Sequence, residues 1–276
     1  MRPLFLVENL FSDVQSPAHV VDASSETPGY EAWRVATGRR SVHDRWQPTT
    51  AGEGWIRVDC GAARTADMAI LDRGHNLAGV QVKVQHSTDG GVWTTAATST
   101  IPAAATDPGD VDAANGARTH EGAWLKRFPS KTARWWRFLV PAAAGIRAEI
   151  VGLWVGESWT PSQYFDLPWG DEDIELGWEE VTSSAGWRAA GHVSRARAGT
   201  IDLKLSNESE YDDHARRHIH QQFWLRRPMW IVYNDERAER AVLALPRPGS
   251  AGFDQRAGWG HRQGMIPWLE HEPRLS

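Results

Sequence analysis

Residues 54–61 read GWIRVDCG, and this run decides the fold class. Ile56 and Val58 alternate with Arg57 and Asp59, and Gly61 closes the run. A period of two places apolar side chains on one face and polar ones on the other, which is the pattern of a strand with one buried face. Similar short runs recur, bounded by Gly, Pro, Asp and Asn: GVQVKVQHS (79–87), ARWWRFLV (133–140), EIVGLWVG (149–156), GTIDLKLS (199–206), PMWIVYND (228–235) and RAVLAL (240–245). Such spacing predicts an all-β protein. One helix is expected over 208–225: Asn207 or Ser209 can cap it, Asp212 and Asp213 suit its first turn, and Tyr211, Ala215, Ile219, Phe223 and Trp224 share a face.

The chain has 276 residues, 41% hydrophobic and 24% charged, enough apolar material to bury a sizeable core. A net charge of −5 offers no global positive field for nucleic acid, and none is expected as a partner. Cys60 is the single cysteine, so no disulfide can form within the chain, and folding in a reducing cytoplasm is expected. The apolar start is broken by Glu8 and Asn9, which reads as a first strand rather than a leader, and no run is long enough to span a membrane. Sixteen Trp stand against four Tyr and seven Phe. In a β-rich chain such an excess serves core packing, sugar stacking or broad interfaces.

The stretch SWTPSQYFDLPWGDED (158–173) carries Pro161 and Pro168 and marks a domain boundary, dividing the chain into 1–158 and 159–276. Residues 102–122, rich in Ala, Asp, Gly and Pro, read as a long surface loop.

In the first half the order of motifs resembles the discoidin family, the galactose-binding-like sandwich also found as the C-domains of coagulation factors. A loop Trp, here Trp46 or Trp33, precedes Trp55, Asp59 and Gly61 of the opening run. Next comes S-x-D-G-x-x-W, matched by Ser87, Asp89, Gly90 and Trp93. Then follow Ala133, Arg134, Trp135, Trp136 and Arg137, and finally the run Ile150 to Glu157. The resemblance covers about residues 5–158 and implies a jelly-roll sandwich with a ligand site in the loops at one end. Those loops hold Tyr30, Trp33, Arg39, Arg40, His43 and Arg45, with 72–77 as a further candidate. Aromatic and Arg side chains together suit a sugar or a protein partner. Ser87, Asp89 and the two glycines suit a tight hairpin turn, after which Trp93 is expected to return to the core. Asp59 is expected to hold backbone N–H groups of the next turn or to pair with Arg134 or Arg137. Cys60 is read as a small buried hydrophobe.

The second half looks like β-barrel domains of tail-tip and baseplate proteins from long-tailed bacteriophages, through Pro228 to Tyr233, Ala241 to Leu245 and Trp268 to Arg274. The two resemblances together imply a structural minor tail protein, made in the host cytoplasm and built into the virion at the distal tail or tail tip. Its partners would be other tail proteins (tail tube, hub, tail tip) in a homo-oligomeric ring, with host-surface glycan as a further contact. The alternative is a carbohydrate-binding module of a bacterial surface or glycan-degrading system. No GxSxG, P-loop or paired Cys/His pattern is present, so neither catalysis nor a cofactor is expected. His214 and His218 share a helical face at metal spacing, but no HExxH glutamate lies between them and Arg216 and Arg217 repel a cation. The acidic run 171–180 lacks the loop spacing and glycine of a calcium site, so no metal is expected.

Overall fold

The computed structural model describes residues 4–12, 20–37, 44–101, 123–142, 145–160, 172–182, 188–205, 227–232, 241–246, 255–257 and 261–271. The chain divides into two units, one chiefly Leu4–Trp159 and the other chiefly Thr160–Ile231 and Val242–Arg274.

The first unit holds β1 (Leu4–Leu6), β2 (Val20–Ala23), β3 (Gly54–Leu71), β4 (Gln81–Ser87), β5 (Thr94–Thr100), β6 (Trp124–Val140), β7 (Leu153–Gly156) and β8 (Ser158–Trp159), with a 3-10 turn at Ala32–Ala36. β2, β3, β6, β4 and β5 are neighbours in that order, all antiparallel, and β7 pairs with the far half of β3. β3 and β6 are 18 and 17 residues long, well beyond an ordinary strand. They reach this length by bending. Ile56, Val58 and Cys60 from the near half of β3 and Ala69 and Leu71 from its far half all line one core, as do Trp136, Phe138 and Val140 with Trp124 and Phe128 on β6. A flat strand cannot wrap one core with both ends, so the two strands pass from one layer of a β-sandwich to the other.

The bend lies in the opening motif. Asp59 sits opposite Trp135, and the next pair is Arg64 with Ala133. β3 therefore advances five residues while β6 advances two, and Cys60 to Ala63 bulge. A bulge raises the local twist and turns the strand. Gly61 accepts the left-handed φ of 69° that this demands. The Asp59 carboxylate, 8% exposed as a residue, holds the corner from two sides. Oδ1 accepts the Gly61 N–H at 2.8 Å, and Arg134 donates Nε to Oδ1 at 2.7 Å and Nη2 to Oδ2 at 2.6 Å. Of the two expected partners, Arg134 is the one that pairs with Asp59. The bidentate bond raises the Arg134 pKa further. Cys60 faces the core, where burial pushes its thiol up to about 12, so it is an inert hydrophobe at neutral pH.

Residues 4–12 close the sandwich. Phe5 and Leu6 pair with Trp159 and Ser158, and the Phe5 and Trp159 rings lie 5.4 Å apart. Asn9, which in sequence only interrupts an apolar run, is a buried clamp. Its Nδ2 donates to the Leu153 carbonyl at 2.9 Å, and its Oδ1 accepts N–H from Phe11 and Val155. A Cβ at Gly156 would run into the Glu8 carbonyl oxygen, so only glycine admits this close approach.

The second unit holds β9 (Glu172–Thr182), β10 (Arg188–Leu205), β11 (Met229–Val232), β12 (Ala241–Pro246), β13 (Gln255–Ala257) and β14 (His261–His271). Sheet order is β11-β12-β14-β10-β9, with β13 also on β14. The expected barrel is not seen: among the described residues the sheet is open and antiparallel, with no pairing that joins β9 to β11. β10 pairs with β9 and with β14 in unbroken register. Closure requires the first and last strands of the order to pair, and no such pair is formed among the described residues. The helix expected over 208–225 lies outside the described residues.

Asp59→Asn keeps the shape of the corner side chain but removes its charge. The variant is expected to lose about 2 kcal/mol, read as a lower denaturant midpoint with unchanged strand content. Arg134→Gln should cost less, about 1 kcal/mol, because the Arg134 side chain is 49% exposed. An unchanged midpoint for Asp59→Asn would contradict the role given to the corner.

Candidate functional site

One end of the sandwich gathers the segments 24–37, 44–53, 72–80 and 145–152. Trp46 organises them. It is fully buried, exchanges backbone hydrogen bonds with Ile150 in both directions, and donates its indole N–H to the Ser25 carbonyl at 3.1 Å. Of the two loop tryptophans, Trp46 is the one sealed in the core, while Trp33 stands half open at the surface. Gly54 is bare because a Cβ there would lie 2.9 Å from the Trp46 ring.

Polar side chains tie the remaining segments together. Arg147 donates Nε to the Pro48 carbonyl at 2.7 Å and Nη2 to Thr27 Oγ1 at 2.6 Å. Thr27 Oγ1 also reaches the Pro48 carbonyl, at 3.0 Å. Asn76 donates Nδ2 to the Arg147 carbonyl and accepts the Glu149 N–H, joining the 72–80 loop to 145–152. The end of the unit is thus built from cross-segment bonds instead of free loop tips, the arrangement that keeps a binding surface preorganised.

Two clusters stand on this base. In the first, Arg45 Nη1 lies 3.1 Å from Glu149 Oε2, its guanidinium stacks 4.8 Å from the Tyr30 ring, and Gln47 Nε2 donates to Glu149 Oε1 at 2.9 Å. Arg45 Nε is buried without a hydrogen-bond partner among the described residues. In the second, Arg34 bridges Glu31 at 2.6 Å and Asp44 at 3.2 Å while covering the Trp33 ring at 4.9 Å. The Arg34 bond, followed by backbone N–H groups, holds the Glu31 carboxyl below the usual carboxylate range, and Glu31 in turn raises Arg34. Trp33 itself is 51% exposed. An indole braced by a cation and left half open is a flat apolar surface fixed in orientation, which is what stacking on a sugar ring or on a partner side chain requires.

The structure brings Tyr30, Trp33 and Arg45 to this one end. Arg39, Arg40 and His43 lie outside the described residues. Arg34, Glu149, Arg147 and Asn76 were not foreseen. Arg34 carried a local signal, since Glu31 stands three residues before it. Glu149 carried none, because its partners Arg45 and Gln47 lie about a hundred residues upstream. In the 72–77 loop, Asp72 and His75 are buried and shape the backbone: Asp72 accepts the Arg73 N–H and His75 accepts the Leu77 N–H.

The hairpin turn between β4 and β5 forms as expected. Ser87 Oγ bonds Asp89 Oδ1 at 2.8 Å and accepts the Gly90 N–H, and Asp89 Oδ1 takes the N–H groups of Gly91 and Val92. Those two bonds, with Ser87, hold the Asp89 carboxyl below its ordinary range. Trp93 does not return to the core. It is half-buried on the outer face of the sheet, with the Arg137 guanidinium 4.3 Å over its ring. A cation already on that face gives the indole a better partner than the closely packed interior.

No family model matches the chain, and no curated protein matches it. Among solved structures, chitosan-binding module 1 of a chitosanase/glucanase from Paenibacillus sp. IK-5 is 22% identical, covering 54% of this chain and 98% of that one, with a TM-score of 0.39. Chitosan-binding module 2 of the same enzyme, in complex with chitotriose, is 18% identical, covering 54% and 99%, with a TM-score of 0.39. A fucosidase of Ruminococcus gnavus, in complex with fucose, is 19% identical, covering 55% of this chain and 27% of that one, with a TM-score of 0.41.

Arg147→Ala removes the bonds that join three segments of this end. Amide exchange in 24–30 and 44–53 is expected to quicken by about tenfold or more while β3, β6 and the 72–80 loop, which bonds the Arg147 carbonyl, stay protected, since a lost charged hydrogen bond is worth roughly 1.5–3 kcal/mol and the opening is local.

Proposed function

We propose that this chain is a non-catalytic glycan-binding protein whose ligand docks at the loop end of the first unit. Trp33 carries the reading: it is the one large aromatic among the described residues that is more than half exposed, and Arg34 fixes its plane. Tyr30, Arg45 and Glu149 supply neighbouring donors and acceptors for hydroxyl groups, held on a base of cross-segment hydrogen bonds. That combination, an apolar platform with a few placed polar groups, is how proteins hold small polar-rimmed ligands. Glu31, Asp44 and Glu149 at this end are each ion-paired, which suits these three to orienting a ligand rather than to proton transfer. A glycan array with the full chain tests this. Binding to at least one glycan class is expected, and Trp33→Ala should weaken it about tenfold or more, the loss of one stacking surface. An empty array, or binding untouched by Trp33→Ala, would refute it.

A second reading concerns the other unit. The segments that resemble phage tail-tip and baseplate domains coincide with β11, β12 and β14, and Met229–Val232 and Ala241–Ala244 are buried throughout. On that resemblance alone we infer a second role, as a virion tail protein whose second unit is an assembly domain in a ring with tail tube and hub proteins. Electron microscopy of particles decides it: density for this chain in a distal ring is expected, and a chain that remains a free monomer beside complete particles would exclude it.

A further inference from the structure

The outer face of the sandwich sheet carries a row that the loop-end reading does not use. Asp22, Arg57, Arg137, Gln85 and Thr95 stand opposite one another across β2, β3, β6, β4 and β5. Arg57 donates Nε and Nη2 to Asp22 Oδ2 at 3.1 and 2.7 Å. Arg137 donates Nε and Nη2 to Gln85 Oε1 at 2.9 and 2.6 Å, and Gln85 Nε2 reaches Thr95 Oγ1 at 3.2 Å. Indoles flank the row. Arg57 lies 4.8 Å from the Trp55 ring and 5.6 Å from Trp135, and Arg137 lies 4.3 Å from Trp93. Trp135 in turn lies against Gly90, where a Cβ would come within 2.9 Å of its ring, so the turn glycine leaves room for this indole.

The charges on this face do not cancel. Asp22 meets Arg57 and Asp59 meets Arg134, but Arg137 has no carboxylate within ion-pairing distance among the described residues. Its hydrogen bonds go to a neutral amide oxygen, and its Nη1 makes none to the described residues. Placing two arginines directly across a strand pair costs stability; partial burial lowers the Arg137 pKa, while Glu53 draws it up by more than Arg57 pushes it down. An arginine whose hydrogen bonds go only to a neutral amide among the described residues, with another arginine opposite it, is stabilised when an anion docks against it. The indole N–H groups of Trp55, Trp93 and Trp135 likewise find no acceptor among the described residues, so the face is rich in donors.

We propose that this sheet face is a second binding surface, for an acidic polysaccharide whose sugar rings carry carboxylates, with Arg137 receiving the carboxylate and the Trp93 and Trp135 edges lying against the ring. A uronic acid polymer offers both halves of the match, anionic acceptors at regular intervals and apolar sugar faces between them. This site is separate from the loop end and does not depend on it.

Calorimetry of the full chain with polygalacturonate, and with its methyl-esterified neutral form, tests the assignment. Expected are binding to the acid form, weakening as salt rises, and little binding to the ester. Arg137→Gln should lose about tenfold in affinity, as a charged contact is removed. Trp93→Ala reads the same face should Arg137→Gln not fold, which a thermal melt decides. No binding to polygalacturonate at low salt, equal binding to the ester, or loss through Trp33→Ala alone would overturn the proposal. Loss through Trp33→Ala alone would move the polymer to the loop end and leave the proposed function standing, whereas failure on the glycan array bears on the loop end by itself.

Discussion

The first unit depends on one carboxylate. Asp59 is placed where β3 must leave one layer of the sandwich for the other, and it bonds both the chain that turns and the strand that does not. The Gly61 N–H, freed by the bulge, finds its acceptor there, and Arg134 reaches across from β6 to the same group. Without the bend, the near and far halves of β3 could not face a common core, and Trp136, Phe138 and Phe128 would have nothing to enclose. A buried carboxylate is costly when alone and economical when every lone pair is used, so the corner tolerates an acid and little else.

The loop end inherits its geometry from that frame. β6 delivers the chain to 141–152 and β2 delivers it to 24–53, and Trp46 joins the two through Ile150. Arg147 and Asn76 then fasten the loops to one another, while the plane of Trp33 is set locally by Arg34 with Glu31 and Asp44. The sheet face obeys a different logic. There the strands themselves set the spacing, and the cross-strand register lines up Arg57, Arg137 and Gln85. One surface is built by loops and the other by the ladder, which is why they can carry different chemistry without competing.

Much of the first unit was readable from the sequence because its signals are local. The alternation in GWIRVDCG specifies a half-buried strand, and Ser87, Asp89 and Gly90 specify a turn through bonds no more than three residues apart. Trp93 was misread, since its place depends on Arg137, forty-four positions later, and no short pattern links them. The Arg45–Glu149 pair escaped for the same reason. Asn9 looked like an interruption and is a clamp, because its three bonds go largely to β7. In the second unit parts of β10, β11, β12 and β14 were visible, whereas the acidic run 171–180, which reads as a solvated turn, supplies most of β9 because its ladder with β10 outweighs its charge density; barrel closure depends on stagger between strands, which alternation within one strand does not encode.

Cys60 has a practical consequence. It is the single thiol in 276 residues, and burial keeps it protonated far above neutral pH. The native surface is therefore chemically silent towards maleimides and iodoacetamides. A cysteine introduced at any exposed position would be the sole nucleophile of its kind, and a fluorophore or spin label would attach there without first removing the native residue. The inward turn of one side chain at the corner thus leaves the folded protein ready for single-site labelling, with its core untouched.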